Sequence, residues 1–199
     1  MRSPHMAEVR LGDRLEHHCK IFRHMSFHDL SDVLTFGQLS FNGVHPLWRH
    51  NLLGDAQGSA CRLPPDAIAL QSWWLLPAEG LMDWHEPDVS RPHVCVVSSI
   101  GALTGALLAA DLQVHIERVD GTARSPLHVI VCAGRSPRAA APDNYLRLHV
   151  DLATLLQGVA VSTNASPRFL ELVGRLVQAR TPAPVYRVPR PRAAARTVA

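Results

Sequence analysis

DLQVHIERVDGTARSPLHVIVC, residues 111–132, decides the class of fold. In its first part Leu112, Val114, Ile116 and, after them, Arg118 lie on one side of an extended chain. Gln113, His115 and Glu117 lie on the other, the period of two that marks a half-buried strand. Leu127 to Cys132 is a second run rich in valine and isoleucine. The Asp120–Pro126 connection is short and starts with Asp-Gly, which readily supplies positive φ, so the two runs are expected as antiparallel neighbours. Outward from this pair, His93–Ser98, Tyr145–Val150 and Gly158–Ser162 are further runs of strand-forming residues bounded by Gly, Pro, Asn or Asp. In YLRLHV, Leu146 and Leu148 oppose Arg147 and His149. The pattern predicts a mainly β fold, an antiparallel sandwich or jelly-roll-like barrel with an N-terminal arm and an extended C-terminal tail, with α+β as the alternative.

Helical signals are fewer. In SFHDLSDVL, Ser26 caps with Asp29 three residues on, Leu30, Val33 and Leu34 share a face, and Gly37 stops the helix. In SPRFLELVGRLVQA, Ser166 is the N-cap and Pro167 the first helical residue, and Phe169, Leu172, Val173, Leu176 and Val177 share a face. Gly174 weakens that helix by about 1 kcal/mol relative to alanine. Residues 54–65 and 77–92 read as long turn-rich connections. Three parts are expected: an arm with a short helix over 1–50, a β-rich domain over 51–180, and a Pro/Arg-rich extended tail over 181–199.

A chain of 199 residues supports one core. Hydrophobic residues make up 47% of it and charged residues 19%, a balance that suits a protein covering much of its surface with other matter than water. No apolar run reaches the roughly 20 residues of a membrane span, and MRSPHMAEVRLGD has no apolar core for a secretory signal. Cys19, Cys61, Cys95 and Cys132 stand far apart with no CxxC, so free thiols in a reducing compartment are expected. Lys20 is the sole lysine, and after Glu171 there is no acid, while Arg175, Arg180, Arg187, Arg190, Arg192 and Arg196 follow.

Chemistry-bearing residues crowd in EHHCKIFRHMSFHDL, residues 16–30. Were this one helix, Cys19 would face away from His24 and His28, which alone have the i to i+4 spacing for a shared metal. Two ligands do not complete a site, so no metal and no cofactor is predicted. Asp83, His85 and Glu86 in DWHEP are a loop cluster suited to acid–base work, although Trp84 points equally to a partner contact. His149 and Asp151 have a triad-like spacing but no marked nucleophile. P-loop, GxSxG, HExxH and dinucleotide glycine motifs are absent. Tyr186 and the tail arginines Arg187, Arg190, Arg192 and Arg196 are interaction candidates, for phosphates of RNA or for a neighbouring subunit.

Three phrases carry a family resemblance across Phe27 to Thr163. Asp29-Leu30-Ser31 with Val33-Leu34 resembles the DLSxVL phrase of picorna-like virus capsid proteins, especially those of dicistroviruses and the small coat proteins of their plant relatives. Gly105-Ala106-Leu107 ahead of the strand pair, and Val150-Asp151-Leu152 with Thr154 ahead of Gly158–Ser162, are similar to phrases in the same order in that family. The resemblance implies a jelly roll drawing a further strand from Ile68–Leu76 and no catalytic residues. The resulting expectation is a structural, non-enzymatic subunit, a coat protein of a virion assembled in the host cytoplasm, partnered by copies of itself or related subunits, with RNA contact through the tail and no membrane. Two alternatives stand beside it: a non-catalytic component of an intracellular ribonucleoprotein or protein complex, and a small hydrolase or metal-dependent enzyme.

Overall fold

The computed structural model describes residues 8–44, 63–76, 93–107, 112–119, 126–133 and 145–188. Among these residues ten strands form one mixed sheet: β1 (Glu8–Leu11), β2 (Lys20–Ser26), β3 (Gln38–Gly43), β4 (Ala67–Leu75), β5 (His93–Ser99), β6 (Leu112–Arg118), β7 (Pro126–Ala133), β8 (Tyr145–His149), β9 (Gly158–Val161) and β10 (Val185–Arg187). The main path runs β1-β6-β7-β4-β2-β5-β9-β10. β1 joins β6, and β10 joins β9, in parallel; the other pairs are antiparallel. The expected pair β6 and β7 holds from Leu112↔Ala133 to Arg118↔Leu127.

The sheet forks at β4. One flank of β4 is lined by β7 from Ala67 to Trp74. The other is shared: Leu75 and Trp74 pair with Ile21 and Phe22 of β2, while Leu70 and Ala69 pair with Asn42 and Gly43 of β3. Past these short ladders β2 follows β5, β3 follows β8, and the two diverge.

Helix α1 (Phe27–Phe36) connects the diverging strands. Its start is the expected capping box: Asp29 N donates to Ser26 Oγ at 3.0 Å and Ser26 N to Asp29 Oδ2 at 3.2 Å. Its end is Gly37 at φ 61°, a left-handed conformation that glycine adopts without a Cβ penalty, with its N–H on the Val33 carbonyl at 2.9 Å. Leu30, Val33 and Leu34 are buried. Ser26→Ala should cost about 1 kcal/mol in urea unfolding; an unchanged midpoint would show that the cap contributes nothing.

Among the described residues three more helices share the inner face of the sheet with α1: α2 (Ile100–Ala106), the single turn α3 (Leu152–Leu155) and α4 (Pro167–Gln178). Ile100, Leu103, Leu155, Val173 and Val177 join Ile21, Trp73, Val94, Val96, Val114, Ile116, Val129, Val131, Val159 and Val161 in the main core. Burial of each such side chain is worth roughly 1.5–3 kcal/mol. Phe169 of α4 meets Phe27 edge to face at 5.4 Å. Leu172, placed on the apolar face of α4 by spacing, is half exposed. On the outer face of the sheet a smaller cluster joins Phe22, Cys95, Val97, Ala160 and Val188.

The mainly β expectation stands, but the sandwich and the jelly-roll barrel are corrected to one open mixed sheet. Alternation reveals that one face of a strand is covered; it is silent about whether helices or a second sheet cover it. Here helices do. The expected irregular arm around a short helix supplies β1, β2 and β3 as well, strands whose polar positions hid them. The three phrases behind the coat-protein resemblance have local causes: the first is the cap and buried face of α1, and the second lies at the end of α2 rather than at the start of a strand. In the third, Asp151 caps α3, accepting from Ala153 N at 3.0 Å and Thr154 Oγ1 at 2.7 Å. The Ile68–Leu76 strand does exist, as β4, but in an open sheet.

Candidate functional site

Where β2 and β3 part, their side chains line a crevice of about 240 Å³ with α1 across its end. β2 contributes Arg23 and Met25, α1 Asp29, Asp32 and Val33, β3 Gln38, Ser40 and Asn42, and β8 Tyr145. Strand alternation explains the selection. On β2, Ile21, Arg23 and Met25 point to the inner face; on β3, Leu39 and Phe41 are buried in the core, while Ser40 and Asn42 face out. The register Ser40↔Arg147 and Asn42↔Tyr145 continues the polar wall onto β8, ending at a 3.0 Å hydrogen bond between Gln38 Nε2 and His149 Nε2.

Arg23 is the electrostatic centre. Burial pushes its guanidinium down to about 10, with the Asp29 carboxylate pulling in the opposite direction. It remains a cation at neutral pH. The Asp29 carboxylate is itself held by the capping box, so the residue that starts α1 also sets the charge beside Arg23. Among the described residues, no carboxylate lies within ion-pair distance of the guanidinium and no hydrogen bond engages it.

Gln71 closes the inner end of the fork. Only 2% exposed, it donates through Nε2 to the Ser40 carbonyl at 2.8 Å and accepts from Trp73 Nε1 at 2.7 Å.

The histidines of residues 16–30 go separate ways. His17 offers its carbonyl to Gly101 N at 2.8 Å, and His18 is exposed beside Glu16 at 3.1 Å. His24 lies on the outer face of β2 among aromatic rings, 5.4 Å from Phe22 and 6.0 Å from Trp74. His28 is on α1, 3.7 Å from Asp32. The i to i+4 relation of His24 and His28 presupposes one helix, whereas a strand ends and a helix begins between them. Among the described residues no group of three metal-ligating side chains gathers.

Tyr186 lies on β10, its ring packed over Gly158, where an added Cβ would meet Cε1 at 3.2 Å. Burial, and secondarily Cys95, raises its phenol. Arg187 donates from Nη2 to the Ala165 carbonyl at 3.0 Å. His149 and Asp151 form no triad: the first bonds Gln38 and the second caps α3. Burial pushes the thiols of Cys95 and Cys132 up to about 12, which leaves neither a thiolate nucleophile at neutral pH. Asp83, Trp84, His85, Glu86, Arg190, Arg192 and Arg196 lie outside the described residues, as do the 54–62 and 77–92 connections and residues 120–125.

The crevice residues escape a search by motif. Arg23 does leave a trace: counted at period two, KIFRHMS sets it between Ile21 and Met25, a charge on an apolar face. Counted at a helical period, that signal disappears.

No family model matches the chain, and no curated protein does. Among solved structures the chain is similar to DarT of Thermus sp. 2.9 in complex with carba-NAD+, at 15% identity over 87% of this chain and 97% of that one, with a TM-score of 0.42. The matched protein is a DarT holding carba-NAD+ rather than a coat protein. With the open sheet, that finding corrects the expectations of a viral capsid protein, of a non-enzymatic assembly subunit and of a virion location.

Proposed function

We propose that the chain is an enzyme that binds a phosphate-bearing nucleotide in the fork between β2 and β3. One observation carries this reading: Arg23 is a largely desolvated cation lining a polar crevice, with no ion-pair partner among the described residues. A charge so placed is costly unless an anion meets it, and the planar guanidinium matches two phosphate oxygens at once. Around it, the Asp29 and Asp32 carboxylates accept from sugar hydroxyls, and Ser40, Asn42 and Gln38 both donate and accept. Tyr145, 58% exposed at the rim, offers a flat face to a base.

The crevice falls a little below the roughly 300–1,000 Å³ of pockets that enclose a drug-sized ligand. It therefore encloses one half of a dinucleotide, while the other half extends over the wall formed by β3 and β8. The paired carboxylates on α1 suit stabilisation of positive charge developing on an enclosed sugar, the feature that favours catalysis over simple storage.

NAD+ is the first probe, after the ligand of the Thermus DarT structure. Titration calorimetry with NAD+, carba-NAD+, ADP and inorganic phosphate should show binding of the nucleotides in the range of about 1 μM to 1 mM usual for enzyme substrates, and weaker binding of phosphate alone. Absence of heat for every nucleotide at about 1 mM would overturn the site. Binding of NAD+ and of the other nucleotides tried with no consumption over hours would overturn the enzyme.

A further inference from the structure

We infer that Gln71 is the strut that sets the width of the fork, and so a positioning residue for what binds there. The part concerning binding rests on the function proposed above. The β3–β4 ladder ends at Asn42↔Leu70 and the β2–β4 ladder at Phe22↔Trp74, so among the described residues no strand lies beside the stretch of β4 between Leu70 and Trp74 on this flank. Gln71 sits in that gap on the inner face. Its amide extends the connection to β3 by one more bond, to the carbonyl of Ser40, a residue that lines the crevice together with Arg23.

The other end of the amide is fixed as firmly. Trp73, fully buried, donates its indole N–H to Gln71 Oε1 and thereby sets which way round the amide lies. The donor is left with one direction, toward β3. Both polar atoms of a side chain only 2% exposed are used, and neither touches the crevice. A residue whose task was packing alone would be apolar here, as Ala69 and Trp73 on the same face largely are.

Three variants separate this from simple stabilisation. Gln71→Met keeps the length and removes both bonds. Trp73→Phe removes the indole donor but leaves the link to Ser40. Gln71→Glu accepts from Trp73 yet, while ionised, faces the Ser40 carbonyl without a proton; burial raises its carboxyl above the usual value of about 4.3, and the protonated form restores the donor.

Amide hydrogen exchange over residues 38–42 and NAD+ affinity are the readouts, with thermal unfolding in parallel. In Gln71→Met, exchange in β3 should quicken ahead of the other strands, and NAD+ should bind about tenfold more weakly to protein that stays folded. Gln71→Glu should recover affinity as the pH falls from about 8 to about 6. Trp73→Phe should lower the melting temperature with affinity nearly kept. Equal loss of melting temperature and affinity in Gln71→Met and Trp73→Phe would overturn the strut, and so would β3 exchange in Gln71→Met at the wild-type rate. Should the wild-type chain bind no nucleotide, the proposed function falls on that result alone; β3 exchange then decides the strut, quickening upholding it and constancy overturning it.

Discussion

Arg23→Met should weaken nucleotide binding about a hundredfold without lowering thermal stability. The guanidinium is the only cation lining the crevice among the described residues. Loss of a charge-assisted, two-pronged contact costs up to about 3 kcal/mol, or about a hundredfold in affinity. The stability side follows from linkage. Burial depresses the folded-state value of Arg23 to about 10, so the cation is less favoured in the folded chain than in the unfolded one. The penalty is fully present at every pH well below 10 and fades only as the group loses its proton above it. Replacing the charge with an apolar side chain of similar length removes that penalty, so the melting temperature at pH 7 should hold or rise. Arg23→Lys keeps the charge but not the fork of donors and should fall between. Wild-type affinity in Arg23→Met would sink the assignment of the site, and a fall of several degrees in its melting temperature would show that Arg23 is structural.

Phe41→Ala should produce the largest loss of stability, about 3–5 kcal/mol in urea unfolding. Phe41 is fully buried, in the middle of β3 and in the main core. Total stabilities of about 5–15 kcal/mol make that a large fraction of the whole. The effect separates cleanly from the chemistry of the site, because Ser40 and Asn42 on either side of it face the crevice while Phe41 faces the core. At temperatures where Phe41→Ala is folded, its affinity for nucleotide should stay within about threefold of the wild type. A loss below about 1 kcal/mol would show that β3 is held by its hydrogen bonds to β8 rather than by packing.

β3 shows why this site was so poorly legible. QLSFNG holds only two large apolar residues, Leu39 and Phe41, too few to announce a strand, yet those two fix its inner face and leave the others for the crevice. β2 was hidden differently: its histidines invite a search for metal spacing, and its arginine interrupts the apolar alternation that would have marked it. Polar residues that line the crevice break the apolar alternation of β2 and β3, so the two strands that build the fork carried weak strand signals. The coat-protein resemblance arose from the opposite effect. Its phrases are a helix cap, a helix end and a single capped turn, which local chemistry favours in many folds.

By itself, the sequence determined what neighbours along the chain can decide. Ser26, Asp29 and Gly37 bound α1, Ser166 and Pro167 start α4, and the alternation in β6 and β8 together with the apolar runs of β5, β7 and β9 marks strands, because caps, φ preferences and period-two patterns act within a few residues. Only the tertiary structure decided the order of the strands, the parallel edges and the fork. Those depend on which partner each strand edge finds, and backbone hydrogen bonds are the same for every residue, so no side chain announces the pairing. The crevice is a product of that choice: Arg23 and Ser40 are seventeen residues apart in sequence, and they line one crevice because β4 is shared by two strands that then diverge.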